Sequence, residues 1–266
     1  MTTSEDQVKN PAQGAQATTG IYVYGIVPVD VQVEEHAKGI GDPPAKVDMV
    51  REGDIAALIS EVSVDRALGT PDDLQAHAQL LDGTASAAPV LPMRFGAVMS
   101  DAESVANELL REHHEEFAQA LQQLEGRAEY IIKGRYDQNA ILGEVLSEND
   151  QARQLREDIA NKSEDASRNS RMALGELISN AIESKRQADT NIVIDAVGEL
   201  ASQVNPRPPT HEYDAVNVAL LAEVGRQHDL EAALHQLAEN WQGRVEVRLL
   251  GPLAPYDFVV TSQQQG

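Results

Sequence analysis

The residues of this chain best suited to chemistry are the run Glu112-His113-His114-Glu115-Glu116, in which two imidazoles stand among three carboxylates. Imidazole and carboxylate together form the donor set of zinc and other borderline divalent ions. On a helix, adjacent residues do not share a face; Glu112 and Glu116 can meet at i, i+4, further ligands are not located, and no HExxH spacing exists. The run therefore predicts a solvated charged face, with His113 turned inward beside Phe117, and no metal. Lys38-Gly39-Ile40-Gly41-Asp42-Pro43-Pro44 has glycines of the kind that let backbone amides approach a phosphate. No lysine and hydroxyl follow, and Pro43 and Pro44 bar the helix that would aim its amides at the anion, so a turn is predicted. Nucleophilic catalysis has no Gly-x-Ser-x-Gly elbow and no cysteine, and histidines 36, 77, 211, 228 and 235 are scattered without a spaced acid and nucleophile. No catalytic, cofactor-binding or metal residue is assigned, and no cofactor.

Recognition is the remaining chemistry, and two proline-marked apolar segments offer it. These are PVLPMRFGAVM, Pro89 to Met99, and LLGPLAPYDFVV, Leu249 to Val260. Arg94 sits in the first, and a guanidinium in an apolar strand must reach water or pair with an acid. It is either a salt bridge or a contact for a partner on a sheet surface, with Phe95 beside it. Tyr256 and Phe258 follow prolines in the second segment, where aromatics either staple the chain end to its own domain or form an exposed anchor. Arg94, Phe95, Tyr256 and Phe258 are the candidate partner-binding residues. Proline cannot donate to a sheet ladder, so Pro92, Pro252 and Pro255 are expected to mark strand starts.

The elements that must position these residues follow from pattern. Gly20 to Val29 is a β-branched and aromatic strand, and Val47 to Arg51 and Ile55 to Val62 form a hairpin about Glu52-Gly53-Asp54. Pro71, Asp72 and Asp73 open a helix to about Ala87, and a strand spans Val90 to Met99. Ser100 or Asp101 caps a helix whose apolar stripe runs from Val105 to Leu124 and which Gly126 ends, and a strand follows from Glu129 to Tyr136. From Asp137 to Val204 the pattern is helical, with breaks near Asn149 and Ser163. Asn205 to Pro209 stop that stretch, after which Tyr213 to Glu223 reads as strand, Asp229 to Trp241 as helix and Arg244 to Leu250 as strand.

The fold class is thus α+β: two ferredoxin-like α/β-sandwich domains, modified, the second with a long helical insertion. Residues 1–19 are expected to form a disordered tail, 20–100 the N-terminal domain, 101–262 the C-terminal domain with its insertion at about 137–204, and 263–266 a second tail. The stripe Leu174, Leu177, Ile178, Ile182 and onward covers the domain's own sheet or makes a coiled-coil seam, and a scaffold role through that helix is one reading of it.

A formal charge of -22 makes a surface that repels phosphate backbones and anionic headgroups, which argues against nucleic acid and membrane as partners. Cysteine is absent, which fits a reducing cytosol, and no apolar stretch is long enough to span a bilayer. Localisation in the cytoplasm is expected.

In the segments IYVYGIV, HAQLLD, PVLPMRFG, EYIIKGRYD and GPLAPYDFV, in this order between about Gly20 and Val260, the chain resembles the gas vesicle protein F/L family (GvpF/GvpL). Gly251, Pro252, Pro255, Tyr256 and Phe258 match the family's last segment, whereas Leu253 stands where a large aromatic is common. The resemblance implies a protein that is not an enzyme, an accessory or minor structural component of gas vesicle formation. Its implied partner is the small hydrophobic shell protein GvpA, with other gas vesicle accessory proteins as further partners, and its place the gas vesicle. It carries no catalytic residues to this sequence. A small-molecule-binding or catalytic α+β protein is the alternative, and it requires a concave pocket with converging polar groups.

Overall fold

The computed structural model describes residues 19–259, apart from Glu35 and Arg66. The two expected tails fall outside the described residues, save Thr19, which opens the first strand. Two antiparallel sheets organise the chain. The first contains β1 (Thr19–Pro28), β2 (Asp48–Glu52), β3 (Ile55–Ser63) and β4 (Leu91–Pro92) in the order β2-β3-β1-β4, with β5 (Val98–Met99) also on β1. The second contains β6 (Arg127–Tyr136), β7 (Ala201–Pro206), β8 (Asp214–Glu223) and β9 (Val245–Leu253) in the order β7-β8-β6-β9. In each sheet the first strand in sequence lies between the third and fourth, an order compatible with the ferredoxin-like sandwich. The expected α+β class with two sandwich units is what the architecture shows.

Among the described residues seven α-helices accompany the sheets: α1 (Pro71–Ala85), α2 (Ala102–Ser104), α3 (His114–Gln123), α4 (Gln138–Glu148), α5 (Asp150–Ala160), α6 (Arg168–Val197) and α7 (Gln227–Asn240). Thr70 and Asp73 close a reciprocal capping box at the start of α1, and Pro71 occupies its first turn, where no amide hydrogen is needed. The first sheet is buried on both faces. Tyr22, Tyr24, Val27, Ala56 and Leu58 pack with Leu81 and Ala85 of α1, while Val23, Ile26, Ile55, Ala57 and Ile59 pack with Val105, Leu109, Phe117 and Leu121. A register shift between Val23 and Gly25 changes the parity of β1, which is why Tyr22 and Tyr24 share a face with Val27 rather than Ile26. On the second sheet, Ala128, Tyr130, Ile132, Val216, Val218 and Leu220 face α4, α6 and α7, whereas Lys133, Arg135 and Arg248 of the opposite face are exposed.

Four sequence expectations are corrected. The strand from Val90 to Met99 is two short strands separated by a loop, Met93 to Ala97, because Pro92 cannot donate and Gly96 turns the chain at φ +95. Pro92 therefore closes a strand, Pro252 sits one residue before the end of β9 beside a register shift, and Pro255 opens a turn. The continuous helix after Asp101 is α2, a π-helical stretch (Val105–Arg111) and then α3. The helical pattern to Val204 stops at Val197: Ala201–Pro206 is the edge strand β7, mostly exposed, and its Val204 happens to continue the helical spacing.

Candidate partner-binding site

The loop Met93 to Ala97 and the chain end Ala254 to Val259 meet at the edge strand β4, and the four candidate residues lie on these two segments. Arg94 is exposed, and its side chain makes no ion pair or hydrogen bond with a described residue. Phe95 is half-buried, its ring centroid 5.5 Å from that of His77 and 5.8 Å from that of Tyr22. Tyr256, 39% exposed, puts its hydroxyl 2.8 Å from His77 Nε2 and 3.5 Å from the Met93 carbonyl oxygen. Phe95 and Tyr256 are thus brought together at His77, and Arg94 precedes Phe95 on the loop. Phe258 is not with them. It packs on the α3 side of the first sheet, lining a cavity of about 120 Å³ with Leu91, Phe117, Leu124 and Leu221. The chain end therefore wraps round β4, with Ala254 on the α1 side and Val259 on the α3 side.

A hydrogen-bonded chain runs beneath this surface, and its donors can be assigned in one direction. Gly96 N–H donates to the Tyr22 oxygen at 3.2 Å, which leaves the Tyr22 hydrogen for His77 Nδ1 at 2.9 Å. Nε2 then carries the imidazole proton and donates to Tyr256, whose own hydrogen is directed at the Met93 carbonyl. Burial pushes the His77 imidazole down to about 4, so it is neutral at pH 7 as this arrangement requires. Burial pushes the Tyr22 phenol up to about 12. Beside it, Tyr24 donates to Ser60 Oγ at 3.0 Å and accepts from Ile40 N at 2.8 Å, and Gly41 N donates to Asp73 Oδ1 at 3.0 Å. The Lys38 to Pro44 turn is thereby fastened to the first sheet and α1.

The histidines of the EHHEE run serve packing. His114 Nε2 lies 2.7 Å from Asp54 Oδ1 in the β2–β3 hairpin, and Arg111 bonds Glu52 at 2.9 Å, so this region is pinned to the hairpin. His113 lies tilted against Phe117, with ring centroids 5.6 Å apart. Among the described residues no group of His, Cys, Asp and Glu could hold a metal ion. Two clefts of about 600 Å³ and 480 Å³ share Val31, Gln32, Ala87 and Ala88 and include none of the four candidates.

A second polar cluster escaped the sequence reading. Arg244 meets Asp189 of α6 through both terminal nitrogens, at 3.0 and 2.9 Å, and donates from Nε to Glu144 of α4 at 2.8 Å. Tyr136 donates to the same Asp189 at 2.6 Å, and Lys185 bonds Glu144 at 2.6 Å. Burial opposes the Arg244 charge, but the bonds to Asp189 and Glu144 outweigh it and hold its pKa above the ordinary value. Their sequence separations, 55 between Asp189 and Arg244 and 100 between Glu144 and Arg244, leave no local signal.

The model of the family described as gas vesicle synthesis protein GvpL/GvpF matches residues 20–260. The chain belongs to the GvpL/GvpF family. Its relatives include gas vesicle protein F of a Streptomyces species, 32% identical over 90% of this chain and 98% of that protein. Gas vesicle protein F of Dolichospermum flosaquae is 25% identical over 90% of this chain and 96% of that protein. A crystal structure of GvpF from an Anabaena species superposes with a TM-score of 0.76 at 24% identity, covering 92% of this chain and 99% of that one, and shows the shared fold. As a member of the GvpL/GvpF family the protein is involved with the gas vesicle, and among its described residues no helix is long and apolar enough to cross a membrane.

Proposed function

We propose that this GvpL/GvpF family member is an accessory or minor structural component of gas vesicle formation, not an enzyme, which binds the small hydrophobic shell protein GvpA during nucleation or assembly. The family match over residues 20–260 carries this reading. Physical features support it. A shell subunit exposes apolar strand surface before it assembles, and such surface with free edges aggregates. β2, β7 and β9 stand at sheet edges, where a strand can be added. A charge of -22 keeps such a complex dispersed in the cytoplasm on its way to the vesicle.

The contact we assign to the partner is the patch of exposed Arg94 and Tyr256, backed by Phe95, with Phe258 anchoring the chain end beneath it. We also propose two domains, with the boundary moved from residue 100 to about residue 125, since Val105 to Leu124 pack on the first sheet. The test is light scattering of the shell protein diluted from denaturant. The chain is expected to delay its aggregation where an equally acidic unrelated protein does not, and Arg94→Glu to weaken the delay. Scattering that rises as fast with this chain as with the control contradicts the proposal.

A further inference from the structure

The segment Ala254 to Val259 is a strap between the two sheets, and the groups that hold it titrate. Ala254 N donates to Asp82 Oδ1 of α1 at 2.9 Å, and Asp257 N donates to Glu129 Oε2 of β6 at 2.9 Å. Tyr256 is held by His77 of α1. Glu129 is only 3% exposed. The charged groups facing it are Asp257 of the strap itself, Asp82 of α1 and Arg207, which follows β7. Arg207 Nε lies 3.4 Å from Asp257 Oδ2 but out of line for a hydrogen bond, so that oxygen is buried without one. One guanidinium therefore stands against three carboxyls at the point where the strap crosses from one sheet to the other. Leu221 of β8 and Leu253 of β9, the register partners of Glu129, bring no charge.

We propose that the strap is a proton-dependent latch between the two sheets, closed while Glu129 is protonated and released when Glu129 ionises.

Burial, with Asp257 and Asp82 adding to it, holds the Glu129 carboxyl up at about 7, against an ordinary 4.5. A carboxyl whose pKa is higher in the closed state favours closure fully below its ordinary value, and that favour is lost as pH rises through about 7. Burial also raises Asp82, in the same sense. His77 acts at the other end of the scale: held neutral by burial down to about 4, it loosens the strap only in acid. Near neutrality Glu129 is the group that changes.

The absence of native cysteine makes the latch measurable. Val259, the strap's last residue and 7% exposed, is replaced by cysteine (V259C), and the rate of its reaction with Ellman's reagent is followed against pH with Glu129 or with Glu129→Gln. Gln keeps the acceptor for Asp257 N and removes the charge. Circular dichroism confirms that each protein is folded. The ratio of the two rates is expected to rise about tenfold between about pH 6 and about pH 8.5, because linkage raises the opening constant of the Glu129 protein alone. A ratio that stays constant overturns the proposal. Should Glu129→Gln fail to fold, Asp257→Asn serves in its place. Removal of the facing charge moves the rise to lower pH, and a rise that stays where it was equally overturns the latch.

Discussion

The two sheets share a strand order, yet the step from first strand to second is a loop in one and three helices in the other. In the first sheet the loop between β1 and β2 leaves backbone amides to satisfy, and buried side chains do so: Tyr24 accepts from Ile40 N, and Asp73 from Gly41 N. The helices there pack by apolar contact on both faces, with Tyr22–His77 on one side and the exposed Arg111–Glu52 and His114–Asp54 pairs on the other. In the second sheet α4 and α6 bring their own hydrogen bonds, but their attachment includes a half-buried ionic cluster about Arg244. The difference teaches that one topology can be closed by side chains that bond a loop's backbone or by an ion cluster between helices and sheet, and that the two closures fail differently.

Arg244→Ala should sharpen the comparison most. It leaves Asp189, 4% exposed, without its guanidinium, and a buried carboxylate deprived of its partner costs about 3–5 kcal/mol. Urea unfolding should show that loss, and a loss below about 1 kcal/mol would remove the ionic cluster from the account. Leu81→Ala probes the apolar closure of the first sheet: a fully buried leucine truncated to alanine costs about 2–5 kcal/mol, read in the same titration.

Tyr22→Phe should cost less, about 1–3 kcal/mol, by leaving Gly96 N and His77 Nδ1 without their partner. The pH dependence separates the halves further. His77 has a folded-state pKa below its ordinary value, so its contribution is complete above about 6.5 and is lost as pH falls through about 4. His77→Gln should flatten that part of the Tm profile. The smallest effect belongs to Glu52→Gln. The Glu52–Arg111 pair is exposed to solvent, and no resolvable change in the urea midpoint is expected.

Much of the frame was legible because its signals are local. The β-branched and aromatic run IYVYGIV, the hairpin glycine Gly53 and the Pro71-Asp72-Asp73 helix start each act within a few residues, and the corresponding elements lie close to where the sequence places them. β7 was not legible, since a polar edge strand has no buried face to impose alternation. The Val90 to Met99 segment misled for the opposite reason: its apolar content is real, but Pro92 and Gly96 override it. At the candidate site, Arg94 and Tyr256 could be singled out by type, while the link between them could not. His77 bonds Tyr22, 55 residues before it, and Tyr256, 179 residues after it, and its one sequence trace is a histidine on the apolar stripe of a helix. Gly251 is a similar case. At φ +136, with Tyr130 Cδ1 only 2.6 Å from where a Cβ would stand, it permits the close approach of β9 that launches the strap.

The central claim, that this protein meets the shell protein in gas vesicle formation, is tested most directly by affinity capture from cells producing both, with an equally acidic unrelated protein as control. Specific recovery of the shell protein with this chain, reduced by Arg94→Glu, is the predicted result. Recovery no greater than with the control, while the shell protein is present in the soluble extract, would contradict it.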